Sequence, residues 1–549
     1  MPTTNTHGTF VPRPRLRHRI PTSLRQHWKL LTVFVAFVTI MATVFGTARI
    51  RPYITGDASV IASHITENVA GTVDLFDLSV EHELSLDIPA AELSDMLAAY
   101  EKSGDKKWVN ATATIDGTVV TDVAVRLKGN STLTGLRGDR GEGPGGGMQP
   151  PEGFAPPAGL GLPDGLTMPD GEMPEGIAPP GGMGGPGGMA SVSADDPTTL
   201  PLLLSFDKYF DGRAYQGLTE LSVRPGTPVL NEAMALTLTD ATDQPTQRFS
   251  YSVYSINGGA TTTRLLLEHP DDGYANSLFD SDGYLYKADA NSRFAYVDDD
   301  QSSYSEQFEQ INNVESGNLQ PIINFLRWLD AADDTEFAEE LDRWVDVESF
   351  ARYVATQNLL VNSDDMAGPG QNYYLWYDLD TEKISVVSWD LNLAMTGSTD
   401  AGPQDTVSMG MGMGGGGPGA RGGAPGAGNE TGGGPRRGAG VTRGDGGDGG
   451  EGTPGAAPQD GQGGGMRGGN TLKTRFLASS AFTAVYEQVY WDLYDEMYAG
   501  GRANEILDAL ADSVPTSDGL SAEALQTDVD RMRAWIAART AALAAARAA

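Results

Sequence analysis

No cysteine occurs in the 549 residues, which removes disulfides, thiolate metal sites and cysteine nucleophiles and leaves the redox compartment undetermined. Histidine is scarce, with 6 in all, and none lies near the acidic motifs described below. A two-metal hydrolase shell is therefore poorly supplied, and that reading ranks last. Cations are outnumbered: 38 Lys and Arg stand against 73 Asp and Glu, a formal net charge of -35. Such a balance argues against a nucleic-acid partner, because phosphate neutralisation needs Lys and Arg. Long apolar runs are lacking too, with one exception at the N-terminus.

That exception is Leu30 to Ala48, LLTVFVAFVTIMATVFGTA, which carries no charge. At ~1.5 Å per residue it is just long enough to cross a hydrocarbon core of ~30 Å. Arg13, Arg15, Arg17, Arg19, Arg25 and Lys29 precede it, with no Asp or Glu among the first 29 residues. The positive-inside rule then predicts a basic cytoplasmic tail (1–29), a transmembrane helix (30–48) and an extracytoplasmic remainder. A cleaved signal peptide fits less well, since its apolar core is ~7–15 residues and ends at a small-x-small site.

Residues 49–70 read as a stalk. From Asp74 the alternation in VDLFDLSVEHELSLDIP and TATIDGTVVTDVAVRLKG predicts strands, with the helix AAELSDMLAAYEKSG between them. A Gly/Pro/Met-rich block (135–197) buries too little apolar surface to offset chain entropy and reads as a disordered insertion; a second Gly-rich block (402–469) does the same. Between and after them come the strand segment LPLLLSFDKYF, the helix LNEAMALTLTDAT, and a hairpin turning at Asn257-Gly258-Gly259. Helical spacing runs over 318–345 and 346–361. A second hairpin (NYYLWYDL, KISVVSWDL) precedes the C-terminal helices (470–549). Strands first and helices last predict an α+β fold in two lobes, with 71–134 as the first part of the domain and 198–401 as its central part.

Two acidic sites stand out: Asn362-Ser363-Asp364-Asp365 before a Gly-Pro-Gly turn, with Asn372 following, and Trp389-Asp390-Leu391-Asn392 at a strand end. Phosphoryl transfer needs a divalent cation against phosphate charge and a carboxylate toward the accepting hydroxyl. A loop Asp, a nearby Asn and a second Asp one hairpin later are one arrangement that supplies both. Asp and Asn at such places also simply cap turns, so the residues alone leave both readings open.

The stretch NLLVNSDDMAGPGQNYYLWYDLDTEKISVVSWDLNLAMTG resembles the signature region of the spore-coat-protein-H (CotH) kinase family. Further similar pieces follow in order: VRLKGNST (125–132), FDKYFDGRAYQGLTEL (206–221), LNEAMA (230–235), VYSING, LLLEH, GYLYK (283–287) and NTLKTRFL (470–477). The resemblance implies a bilobal, atypical protein-kinase-like domain, mainly β in its N-terminal part and helical in its C-terminal part. Such an enzyme transfers the γ-phosphate of ATP, with Mg2+ or Mn2+, to Ser/Thr hydroxyls of surface or secreted proteins. By resemblance, Asp364 matches the catalytic base, with Asp365 able to exchange roles. Asp390 matches the metal ligand, Asn372 and Asn392 are further metal or phosphate contacts, and Asn362 fixes the loop. Arg126, Lys128, Gly129, Asn130 and Ser131 form a phosphate-facing turn. Lys208 and Glu232 are expected to pair as kinase Lys and Glu do, Lys287 to contact phosphate, and Glu268 to sit at the lobe junction. One departure is the apolar LPLLLS, which puts Ser205 where the family has Lys. The alternative from another class is a catalytically inactive surface or spore-coat-like structural or adhesion protein. ATP is scarce outside cells, so the expected topology and the expected donor pull against each other.

Overall fold

The computed structural model describes residues 65–129, 132–133, 136, 192–290, 292–314, 318–407 and 470–549. The expected tail and membrane span, and most of both insertions, lie outside the described residues. Among the described residues no helix is long and apolar enough to cross a membrane.

In chain order the first elements are β1 (Glu67–Val69), β2 (His82–Asp87), α1 (Ala90–Ser103), β3 (Val109–Ile115), β4 (Thr118–Leu127), β5 (Leu202–Ser205), β6 (Arg213–Tyr215), β7 (Glu220–Val223), α2 (Leu230–Asp240), β8 (Phe249–Ile256) and β9 (Thr262–Glu268). Seven of these strands close into a barrel in the order β2-β3-β4-β5-β7-β9-β8, sealed where β8 runs parallel to β2. Closure removes the free edges of an open sheet. Strand alternation decides what each face carries. Val123, Val125 and Leu127 of β4 and Leu221 and Val223 of β7 fill the interior. The residues between them, including Arg126, Glu220 and Ser222, therefore face outward.

The second half holds α3 (Asp272–Leu278), β10 (Gly283–Ala288), β11 (Phe308–Gln310), α4 (Gln320–Ala331), α5 (Asp334–Glu340), α6 (Val347–Leu359), β12 (Tyr373–Asp378), β13 (Ile384–Ser388), α7 (Thr471–Ala478), α8 (Ser480–Tyr494), α9 (Arg502–Ser513) and α10 (Ala522–Ala548). Four strands form a sheet in the order β11-β10-β12-β13. A second hydrophobic core joins these helices to α2 and to the outer face of β8 and β9, where Tyr251, Leu265 and Leu267 project. The fold is thus mixed α/β with two large cores and a smaller one between α3 and the second sheet, and that sheet lies inside the half that the element order makes helical.

β3 and β4 are joined by Asp116-Gly117, which turns with φ of 47° and 78°, as a two-residue loop requires. Three expectations need correction. The stalk's last residues form β1, which pairs with β6 because Thr66 and Glu67 donate to the Gly212 carbonyl. Residues 74–81 are turns rather than strand, since the Asp74 and Asp77 carboxylates accept from the N–H groups of Phe76 and Ser79. Helix 318–345 is cut at Asp333, whose side chain caps α5 by accepting from Thr335 and Glu336.

His82 is buried, its Nδ1 2.9 Å from Asp116 Oδ2 and its Nε2 3.1 Å from the Asp77 carbonyl. Burial alone pushes the imidazole down, but the hydrogen bond and charge of Asp116 outweigh it and raise the pKa above its usual 6.5. A raised folded value stabilises below the unfolded pKa and is lost as pH climbs through it. The difference in urea midpoint between wild type and His82→Gln should therefore shrink as pH rises above the usual imidazole value of about 6.5. A difference that is constant with pH contradicts a charged, paired His82.

Candidate active site

The acidic loop follows α6. That helix is capped at Asp346, whose side chain accepts from Ser349. It ends at Leu360, after which Val361 takes a φ of 52°. A β-branched residue in the left-handed region is an outlier of the kind found at functional sites, at a cost of about 1–3 kcal/mol. Asp390, opposite, also sits at φ 52°. Asn362 is buried and fixes the loop: its Oδ1 accepts from the Asp364 N–H at 3.2 Å and its Nδ2 donates to Gln357 at 2.8 Å. Gln357 in turn donates to Ser388 at 2.9 Å, one residue before Trp389.

The Asp364 carboxylate accepts from the Gly370 N–H at 2.5 Å and from Asn372 Nδ2 at 3.0 Å. A side chain at Gly368 or Gly370 would run into Asp364, which explains the Gly-Pro-Gly turn. Burial raises the Asp364 pKa, the Gly370 bond opposes this, and the charges of Asp390 and Asp365 add to it. Asp364 and Asp390 therefore lie within electrostatic reach. Asp365 is committed elsewhere: it forms an ion pair with Lys473 of α7 and accepts from the Ala367 N–H at 2.8 Å. Of the doubled pair, Asp365 is tied to Lys473, and Asp364 carries the electrostatic influence of Asp390.

Asp390 is held by Arg224, which the sequence reading did not single out. Arg224 follows β7, and its guanidinium donates to Asp390 Oδ1 at 2.5 Å and to Glu232 Oε2 of α2 at 2.8 Å. Burial depresses its pKa, but the two carboxylates more than reverse that. The expected Lys208–Glu232 pair is corrected accordingly. Glu232 is buried against Arg224, while Lys208 is exposed, its Nζ 6.0 Å from the Trp108 ring. Asn392 is close by; its carbonyl, with that of Ala394, accepts from Asn231 of α2 at 2.6 and 3.1 Å.

The outer barrel face and β10 of the second sheet supply the cations. Arg126 lies 4.7 Å from the Trp108 ring centroid, and Lys128 and Lys287 lie 5.2 and 5.7 Å from that of Trp389. Lys128 also bonds Ser222. Burial first, then the charges of Arg224 and Lys287, push the Lys128 pKa down to about 7, with Asp390 and Glu220 opposing. Lys106 is lowered by burial and by Arg126 and Lys287. Cations crowded this closely in so acidic a chain suit an anionic ligand. Glu268 does not join them, because both its oxygens face Arg248. Asn130 and Ser131 lie outside the described residues.

His269 corrects the expectation that no histidine stands near the acidic motifs. Its ring centroid is 6.1 Å from that of Trp389, and its Nδ1 is 3.0 Å from Glu220 Oε2 without hydrogen-bond alignment. Burial, then Lys128, push its pKa down to about 4. The missed residues Glu220, Ser222 and Arg224 carry one legible signal. They are the alternate polar positions of ELSVR, so they share a strand face.

The CotH kinase protein family matches residues 204–543, more than half of the chain. The chain belongs to this family. The match opens at β5 and runs past the middle of α10, so the CotH kinase region takes in Arg224, Glu232, Asp364, Asp365, Asp390 and Lys473. The turn bearing Arg126 and Lys128 precedes it. No curated protein matches the chain.

In this CotH kinase chain the buried Arg224–Glu232 pair yields a stability test. Deleting one partner of a buried ion pair costs about 3–5 kcal/mol, because the other charge is left uncompensated. Arg224→Met should lose about that much by urea titration, and Arg224→Met with Glu232→Leu should lose clearly less than the two single losses summed. Strict additivity contradicts the pairing.

Proposed function

We propose that this protein is an atypical Ser/Thr kinase that transfers the γ-phosphate of ATP to hydroxyls of surface or secreted proteins. Family membership supports kinase-type chemistry. The observation that carries the finer reading is the convergence of Asp364 and Asp390 beside the cations of the outer barrel face.

The donor set fits a hard divalent cation. Among the described residues no three carboxylate or imidazole side chains gather around one point. Mg2+ commonly binds through one or two carboxylates plus phosphate oxygens and water. Asp390 and Asp364, with the amide oxygens of Asn372 and Asn392, would supply the protein's share. Glu232 pairs with Arg224 through Oε2, and its Oε1 is buried without a hydrogen-bond partner. When bound, Mg2+ or Mn2+ neutralises charge on the transferring phosphate.

The remaining work falls to side chains. Lys128 and Lys287, over Trp389, and Arg126, over Trp108, hold the polyphosphate. Arg224 carries the kinase-like ion pair with Glu232 in place of Lys208, and it sets the position of Asp390. Asp364, with its carboxylate oriented by Gly370 and Asn372, accepts the proton of the substrate hydroxyl. The apolar run 30–48 and its basic flank support an anchored protein whose domain faces away from the cytoplasm. The partners are then the membrane and a hydroxyl-bearing protein.

The test is phosphate incorporation by the full-length chain in detergent, with ATP and Mg2+ or Mn2+. Asp390→Ala should abolish labelling. Asp364→Asn should lower kcat by on the order of 10²–10⁴-fold. Asp365→Asn should lower thermal stability more than turnover. If wild type binds no ATP and labels neither itself nor a generic acceptor, the inactive surface-protein reading takes over.

A further inference from the structure

Arg539 of α10 is fully buried, one of the largest side chains so enclosed. Among the described residues no carboxylate pairs with it. Its guanidinium instead meets polar atoms of two backbone segments and one tyrosine. Nε donates to the Leu359 carbonyl at 3.2 Å. Nη1 donates to those of Thr399 and Ala401 at 3.0 and 2.5 Å. Nη2 donates to the Asn358 carbonyl at 2.9 Å, to Asn358 Oδ1 at 3.2 Å and to the Tyr490 hydroxyl at 3.4 Å.

The two segments are those that carry the acidic residues. Asn358 and Leu359 are the last turn of α6, which leads directly into Val361 and Asp364. Thr399 and Ala401 end the segment that begins with Asp390. Neighbouring bonds act on the same pieces: Trp535 Nε1 of α10 donates to the Gly397 carbonyl at 3.0 Å, and Asn358 Nδ2 joins the two segments directly by donating to the carbonyls of Gly402 and Asp405, each at 3.0 Å. A cation at the C-terminus of α6 meets unsatisfied carbonyls and the negative end of the helix dipole. A planar fork of donors also fixes directions, which a lysine point charge does not. A desolvated charge in this place destabilises unless every donor finds a partner, so its presence specifies geometry rather than adding apolar packing.

We propose that Arg539 is a positioning residue that sets the spacing of the Asp364 and Asp390 loops, so that the C-terminal helix governs turnover without contact with the nucleotide face. The effect on turnover rests on the kinase reading above; the clamp itself does not.

The test compares full-length Arg539→Lys, and Trp535→Phe as a milder variant on the same clamp, with wild type. In steady-state kinetics with ATP and Mn2+, Arg539→Lys should lower kcat by about 10²-fold while KM for ATP stays within about twofold, since a misplacement of ~1 Å can have that effect. Trp535→Phe should show a smaller loss of the same kind. Hydrogen exchange supplies a readout free of catalysis: both variants should exchange faster in 358–366 and 389–401, with the barrel strands unchanged. Unchanged kcat in both variants, or a rise in KM that accounts for the loss, overturns the proposal. So does exchange that is unaltered, or that rises evenly across the helical core. If wild type shows no turnover, the kinase reading falls and hydrogen exchange alone decides the clamp. If Arg539→Lys does not fold, Trp535→Phe decides it.

Discussion

Everything in the site hangs on one buried cation. Arg224 leaves a barrel strand, pairs with Glu232 on α2, and holds Asp390 on the loop after β13. Three elements far apart in sequence are thereby referenced to one guanidinium that keeps its charge at any ordinary pH. The geometry also has a consequence for ligands. A cation that binds Asp390 competes with Arg224 for the same carboxylate, and any phosphate that draws Arg224 away helps it. On the proposed reading, metal and nucleotide would reinforce one another through this residue.

The rest of the site follows from two simple devices. Strand alternation in the barrel separates an apolar interior from an outer face carrying Arg126, Glu220 and Ser222, with Lys128 and Arg224 just beyond the strand ends. Opposite that face, tight backbone conformations at Val361, Gln371, Asp390 and Met395, all at positive φ, aim the acidic loops. Such conformations persist only where surroundings over-determine them. Here the surroundings are the Asn362–Gln357–Ser388 chain, Asn231 on the Asp390 loop, and the Arg539 clamp.

How much of this was legible in the sequence divides along range of interaction. Local signals serve well: the α2 and α6 helices, both long hairpins, and the nearness of Asp364 and Asn372 across a Gly-Pro-Gly turn. Strand face is legible too: Glu220, Ser222 and Arg224 alternate along ELSVR, with Arg224 one residue past the end of β7. What no local pattern encodes is which buried charge meets which. Kinase analogy pairs Glu232 with Lys208, yet Lys208 sits after a strand end on an exposed loop, and Arg224 takes the pair. Asp364 and Asp365 are adjacent and chemically identical, and their partners separate them: Lys473 for Asp365, Gly370 and Asn372 for Asp364. The closure of the barrel through parallel pairing of β2 and β8 likewise depends on contacts that periodicity does not carry.

The most direct measurement of the central claim is the anomalous signal of Mn2+ in crystals grown with a non-hydrolysable ATP analogue. The account predicts a Mn2+ peak on the order of 2 Å from carboxylate oxygens of both Asp390 and Asp364, with the polyphosphate against Lys128 and Lys287. A Mn2+ peak elsewhere, or an analogue whose phosphates lie away from the outer barrel face, contradicts it.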